Sequence, residues 1–337
     1  MKTDKGNEKM GITAKEIAQI CGVSRTTVHR ALNNTGRINP ETKKLIMQTA
    51  AKYDYHPDML ATGLAKGRTN YIGVVMMDVD NRYFSQMLNA IGTNARSKGY
   101  FVNITLHENN KEMEREQLRR LADYHVEGMI VSSVNQGEEY KVFMESLQIP
   151  IVTIDNKVAE GIPFVGINGR KAAQEGVAKI VKAGYEKIVF VCPPLADSSI
   201  ENVYVHEERA AGFQEAMESY PSLEPVLWGD WNYRKRVVKE LSSSKKKTAF
   251  FCTGDMIALE VMQILKKAGK TAGKEYGLMG YDNIDFLQYV VPRLATIDNY
   301  VEQVAGNAFE LLLDLIDGKE CEKERILETN VIDGDTL

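Results

Sequence analysis

Ser24-Arg25-Thr26-Thr27-Val28-His29-Arg30-Ala31-Leu32-Asn33, entered through Cys21-Gly22-Val23, is the stretch on which the reading of this chain turns. Its apolar period is helical. Val28, Ala31 and Leu32 fall on one side and Arg25, Thr26, His29 and Arg30 on the other, because residues three and four apart are neighbours on a helix surface. Ser24 occupies the N-cap position, where its hydroxyl can accept a first-turn N–H. One face is suited to packing and the other to contact. Two guanidiniums among short hydroxyl and imidazole neighbours can read base edges in a major groove, since a guanidinium donates two hydrogen bonds to guanine O6 and N7. A solvated basic helix has the same composition, so the flanking residues carry the decision.

On the N-terminal side, Thr13-Ala14-Lys15-Glu16 fits a capping box ahead of the apolar positions Ile17, Ala18 and Ile20, which predicts a helix over about 14–20. Gly22 can take the left-handed conformation that ends such a helix, and Val23 can fill the angle before Ser24. Helix, glycine-containing turn, helix is the arrangement that lays its second helix in a DNA groove. On the C-terminal side, Asn39-Pro40 signals a third helix, with Leu45, Ile46, Ala50 and Tyr53 expected to close a three-helix core.

The run from Thr13 to Asn33, with Ile38-Asn39-Pro40-Glu41-Thr42 and Tyr55-His56-Pro57-Asp58, resembles the DNA-binding head of the lactose-repressor (LacI/GalR) family of transcriptional regulators. The resemblance implies that Arg25, Thr26 and Arg30 read bases and that Ser24, Thr27 and Asn33 hold phosphates. His29 stands where the family has serine, which implies an altered phosphate contact or an added, pH-sensitive one. The family uses the segment matching Asp58 to Gly67 as a hinge helix that orders on operator DNA. Leu64 matches its minor-groove leucine, an apolar wedge that kinks the duplex. Gly63 departs from the pattern and weakens a helix by about 1 kcal/mol relative to alanine.

The charge distribution agrees. The chain has 337 residues and a net charge of −4, yet residues 1–68 hold 12 Lys and Arg against 6 Asp and Glu, while the remainder holds 30 against 40. A basic head on an acidic body suits a module that neutralises phosphates. No apolar run is long enough to span a membrane and the N-terminus is polar, so a cytoplasmic protein is expected. Cys21, Cys192, Cys252 and Cys321 lack any paired spacing, which argues against zinc and against a disulfide framework.

From Tyr71 onward, short β-rich runs alternate with longer amphipathic stretches in two successive series. This predicts an α/β body of two doubly wound parallel-sheet halves, with a ligand cleft at the carboxyl ends of the strands. The body also resembles that of the same family, which shares its fold with periplasmic sugar-binding proteins. By resemblance Arg209 matches the effector-gripping arginine and Asp282 the cleft aspartate, with Asp155 and Trp231 as further wall positions. Tyr83, Phe84 and Ser132 lie in the loops after the strands. Gly254 replaces an asparagine, which enlarges the pocket. Asp255 is expected to cap the helix it precedes.

The expected organisation is a helix-turn-helix domain over 1–57, a hinge helix and linker over 58–69, and an effector-binding and dimerisation domain over 70–337. Within the last, the N-subdomain is expected over about 70–166 and 299–326 and the C-subdomain over about 167–298 and 327–337. Residues 303–317 read as a helix and 326–332 as a closing strand. No apolar heptad repeat follows, so a homodimer is expected. The function implied is a repressor of palindromic operator DNA controlled by a small carbohydrate-like effector, with no cofactor or metal. A cytosolic enzyme or a solute-binding protein is the alternative; no phosphate loop, His-Glu-x-x-His or Gly-x-Ser-x-Gly motif supports the enzyme.

Overall fold

The computed structural model describes residues 12–56, 63, 67–195 and 201–337. They belong to two compact units that divide between Thr69 and Asn70.

The first unit contains α1 (Ala14–Cys21), α2 (Arg25–Asn33) and α3 (Pro40–Lys52). The capping box is formed: Thr13 N–H donates to Glu16 Oε2 at 2.8 Å, and Glu16 N–H donates to Thr13 Oγ1 at 3.3 Å. Gly22 ends α1 at φ +63°, and Ser24 Oγ accepts from Thr27 N–H at 3.1 Å to begin α2. Asn39 Oδ1 accepts from Glu41 N–H at 2.8 Å, with Pro40 in the first turn where no amide is missed. Ile17, Ala18, Val28, Ala31, Ile46 and Ala50 form the core. Leu45 and Tyr53, expected inside, are exposed, as is Ile20. The inward line of α3 runs through Ile46, Thr49 and Ala50 at i, i+3, i+4 spacing, and Thr49 accepts from Cys21 Sγ at 3.4 Å. Leu64 and most of the expected hinge helix lie outside the described residues. Gly63 is described, and a Cβ there would come within 2.9 Å of Arg68 O and Thr69 Cα, so this glycine answers a close backbone approach.

The second unit runs β1 (Tyr71–Met76), α4 (Arg82–Ser97), β2 (Phe101–Leu106), α5 (Lys111–Asp123), β3 (Gly128–Ser132), α6 (Glu138–Ser146), β4 (Ile151–Ile154), β5 (Phe164–Ile167) and α7 (Gly169–Lys182). It continues through β6 (Lys187–Cys192), α8 (Tyr204–Glu218), β7 (Glu224–Gly229), α9 (Tyr233–Ser243), β8 (Thr248–Cys252), α10 (Asp255–Lys267) and β9 (Gly277–Met279). A 3-10 turn at Asp285–Tyr289, β10 (Thr296–Asp298), α11 (Val301–Ile316), β11 (Glu324–Leu327) and β12 (Asn330–Ile332) complete it.

One sheet has the order β11-β5-β4-β3-β1-β2 and the other β7-β6-β8-β9, with all neighbours parallel in both. Each begins with the same 2-1-3-4 winding, so the two series found in the sequence are topological repeats. Strands buried on both faces explain the unbroken apolar runs such as Ile188-Val189-Phe190-Val191.

The chain crosses between the halves at Asn168, at Asn299-Tyr300 and at Glu328-Thr329. The last crossing corrects the expected single closing strand. β11 pairs with β5 in the first sheet, while β12 pairs antiparallel with β10 in the second half. Alternation in the sequence cannot reveal that consecutive short strands serve different sheets.

Helices α4, α6 and α8 begin earlier than their apolar periods suggest, because a helix starts at its cap rather than at its first buried residue. Asn81 Oδ1, for example, accepts from Tyr83 N–H at 3.1 Å. β7 and α9 have no counterpart in the sequence reading. β7 is an edge strand carrying Pro225, a residue that reads as a loop signal and is tolerated only at an edge.

Candidate functional site

In the head, α2 presents Arg25, Thr26, His29 and Arg30 to solvent on one face, opposite the buried Val28 and Ala31. Asn33 shares the exposed side, its amide donating to His29 O at 2.9 Å. Thr27 is half-buried, and its hydroxyl lies 2.9 Å from that of Ser24. The stem of Arg30 runs beside Gly36. All seven residues singled out in the head are therefore on or beside one exposed stripe, with Ser24, Thr27 and Asn33 also holding the helix.

In the body, the loops at the carboxyl ends of both sheets face each other across a cleft of about 700 Å³. Tyr83, Phe84, Ser132, Asp155, Arg209, Trp231 and Asp282 all line it. They come from six separate segments, brought together by the winding of the two sheets.

On the wall of the first half, Asp155 receives the hydroxyl of Tyr83 on Oδ1 and that of Ser132 on Oδ2, the latter at 2.9 Å. Burial raises the Asp155 carboxyl above its ordinary range, and the two hydroxyl donors oppose that shift. Tyr83 packs edge-on against Phe84, ring centroids 5.3 Å apart. Asp155 itself sits at φ +61°, directly after the end of β4.

On the wall of the second half, Arg209 is buried on α8. Its Nη1 donates to Thr253 O at 2.5 Å, its Nη2 lies 3.7 Å from Asp282 Oδ1, and its guanidinium stacks 3.6 Å from the centroid of Tyr281. Asp282 Oδ1 also accepts from Asn299 Nδ2 at 3.1 Å. Burial pushes the Asp282 carboxyl up to about 7; Arg209 opposes the shift and Asp155 reinforces it. Trp231 is half exposed at the rim, beside Tyr233 and under Arg234. Gly254 leaves space beside Asp282, since a Cβ there would lie 3.5 Å from Oδ2.

Asp255 does not cap its own helix. Gly254 is the N-cap without a side-chain bond, and the buried Asp255 carboxylate accepts from Ile284 N–H at 3.0 Å and Thr296 Oγ1 at 2.6 Å. It ties α10 to the loop that carries Asp282. The expected cap was inferred from adjacency; the partners that won it are 29 and 41 residues away.

Two family descriptions match this chain. That of the bacterial regulatory proteins, lacI family, covers residues 13–58, and that of the periplasmic binding protein-like domain covers residues 177–337. The chain carries a lacI-family DNA-binding domain and a periplasmic binding protein-like domain. Among its relatives, the HTH-type transcriptional repressor PurR of Vibrio vulnificus is 28% identical over 324 residues, covering 94% of this chain and 95% of that one. Catabolite control protein A of Priestia megaterium is 25% identical over 315 residues, covering 90% and 92%. A Lac repressor dimer bound to operator and the anti-inducer ONPF has the same fold, with a TM-score of 0.83, 21% identity and coverage of 97% and 99%. A LacI family regulator of Enterococcus faecium with bound ribose aligns at a TM-score of 0.69 and 22% identity, over 79% of this chain and 98% of that one.

The cleft and the loops behind it also hold polar residues that sequence reasoning missed. His107 is buried; its Nδ1 accepts from Asn109 N–H at 3.2 Å, so Nε2 carries the proton toward Ser132 O at 2.9 Å. His206, one helical turn before Arg209, is held neutral by burial and by Arg209, its pKa lowered to about 3. Asn202 donates to Asn135 O at 3.1 Å and Lys157 O at 2.8 Å, bridging the start of α8 to the loops after β3 and β4. Buried Glu114 accepts from Ser133 Oγ and Val134 N–H, both at 2.6 Å, and so fixes the loop after β3. None of these residues has a local signal beyond its polarity. Among the described residues no group of three or more His, Cys, Asp or Glu could hold a metal ion, and no helix is long and apolar enough to cross a membrane.

Proposed function

We propose that this chain is a cytoplasmic repressor that binds palindromic operator DNA as a homodimer and releases or tightens that grip when a small hydroxylated molecule occupies the cleft. The observation that carries the reading is the exposed Arg25–Thr26–His29–Arg30 face on the second helix of a helix-turn-helix. Arg25, Thr26 and Arg30 read bases, Ser24, Thr27 and Asn33 meet phosphates, and His29 is an auxiliary contact. Leu64 enters the minor groove.

The effector is a carbohydrate or sugar derivative, gripped by Arg209, Asp282 and Asp155 with Ser132, Tyr83 and Phe84, and Trp231 at the rim. Carboxylates that accept from sugar hydroxyls, a guanidinium fork that donates to them and aromatic ring faces suit such a ligand. The ribose bound to the Enterococcus faecium regulator supports the class. The domain limits proposed are those expected from the sequence, with the halves meeting at the crossings described above. The body supports self-association: Phe101 and Ile104 on edge strand β2, and Tyr289 and Val291 after β9, are exposed. A regulator is preferred over an enzyme because relatives matched over at least nine-tenths of this chain carry regulators' names.

Selection of binding sites from random duplex, followed by titration of the best site with and without a panel of sugars, tests the reading. A palindromic consensus whose affinity changes with one sugar is expected. Equal affinity for random and selected duplex across salt concentrations would refute it.

A further inference from the structure

The charges around the cleft are unequal, with acidic groups in excess. Among the described lining residues, Asp80, Asp155, Glu201, Glu260 and Asp282 face only two guanidiniums, Arg209 and Arg234. Arg234 is taken by Glu260, through Nε to Oε1 and through Nη2 to Oε2 at 2.9 Å. Arg209 lies 3.7 Å from Asp282 and donates through Nη1 to the Thr253 carbonyl, while its buried Nε has no hydrogen-bond partner among the described residues. His206, beside Arg209, is neutral.

The other equipment that could hold an anion is the set of helix N-termini, where unpaired N–H groups and the helix dipole favour negative charge. At least four helices begin at the cleft: α4, α8 and α10 have early N–H groups taken by protein atoms, while α9 begins without a side-chain cap beside the Arg234–Glu260 pair. Asn81 Oδ1 accepts from Tyr83 N–H on α4. Asn202 Oδ1 accepts from Tyr204 N–H at 3.2 Å and Asn156 Oδ1 from Val205 N–H at 3.0 Å on α8. On α10, Asp255 N–H donates to Tyr281 O at 2.7 Å and is also drawn on by the Asp282 carboxylate.

We propose that the cleft selects against anionic ligands and takes an effector without net negative charge: an unphosphorylated, non-carboxylated polyol such as a free sugar or neutral glycoside. This rests on the reading of the cleft as the effector site and adds the charge class. A phosphate entering here would find Arg234 held by Glu260 and Arg209 beside Asp282, with three further carboxyl groups at Asp80, Asp155 and Glu201 that no cation of the described lining pairs. Hydroxyl groups, by contrast, can donate to Asp155 and Asp282 and accept from Arg209 without moving any of them.

The test uses the full chain and thermal unfolding in inorganic phosphate against chloride of equal ionic strength. The wild type is expected to show no phosphate-specific rise in its midpoint. Asp282→Asn frees the Arg209 guanidinium and is expected to gain such a rise, which Arg209→Gln in the same chain removes. Asp155→Asn is the second variant, with a gain in the same direction, and far-UV circular dichroism verifies folding of each. In parallel, hexose 6-phosphates are expected to bind on the order of tenfold or more weakly than their parent hexoses, the cost of like-charge juxtaposition. A phosphate-specific rise in the wild type that Arg209→Gln abolishes overturns the proposal, as does folded Asp282→Asn and Asp155→Asn protein that gains nothing. A hexose phosphate that binds more tightly than its hexose and alters operator affinity overturns the charge rule while leaving the regulator reading in place.

Discussion

Arg82 and Asp285 join the two halves of the body across the mouth of the cleft, with Arg82 Nε donating to Asp285 Oδ1 at 2.7 Å and Nη2 to Oδ2 at 2.6 Å. Arg82 opens α4 in the first half; Asp285 opens the 3-10 turn in the second. Gln86 reinforces the contact, accepting from Asp285 N–H at 3.1 Å and donating to Glu302 at 2.6 Å. The pair exists only when the halves are close, so it biases the cleft toward closure.

Arg82→Ala is predicted to weaken closure rather than folding. Both side chains are 44% exposed, so the pair contributes ~0–1 kcal/mol. Loss of that bias lowers affinity for a ligand of the closed form by at most about fivefold. Calorimetric titration with a sugar found in the panel measures it, and the swap Arg82→Asp with Asp285→Arg should restore affinity. No change in either variant would mean the pair is decorative.

Asp282 predicts a pH dependence. Its folded pKa lies near 7, above the roughly 3.9 of an unperturbed aspartate. The folded state therefore keeps a proton that the unfolded chain has released. The resulting stabilisation is complete below about pH 4, declines as pH rises to 7, and is absent above. Urea unfolding at pH 5 and pH 8 should show a smaller loss of stability for Asp282→Asn than for the wild type; identical losses would remove Asp282 as the cause.

Arg25→Ala is predicted to relax base preference at one position of each half-site by roughly 1–3 kcal/mol, leaving the other positions intact. Binding selection with the variant reads this directly. A uniform loss at every position would assign Arg25 to the phosphates instead.

Gly212→Ala is predicted to cost stability by overpacking. A Cβ at Gly212 on α8 would sit 2.1 Å from Arg170 O on α7, so the two helices must part. Overpacking of this kind costs about 1–3 kcal/mol, measurable as a lower urea midpoint with an unchanged slope. An unchanged midpoint would mean the helices separate freely.

Local rules were enough wherever a feature is made by residues within one turn of each other. Thr13 with Glu16, Gly22, Ser24 with Thr27 and Asn39 with Pro40 each close over two to four residues, so the sequence alone determined the helix-turn-helix and which face of α2 is exposed. The alternation of strand and helix likewise determined the α/β class of the body, because burial on both faces writes an apolar run into every strand. Resemblance pointed to Arg209, Asp155 and Asp282, but their distances and proton affinities depend on how two sheets wind. Only the tertiary structure decided that Asp255 serves Thr296 rather than its own helix, that residues 324–332 divide between two halves, and that His107, His206 and Asn202 face the cleft. The physical reason is range: a cap competes for donors next to it in the chain, whereas a cleft carboxylate takes its partners from loops tens of residues away, which no sequence period records.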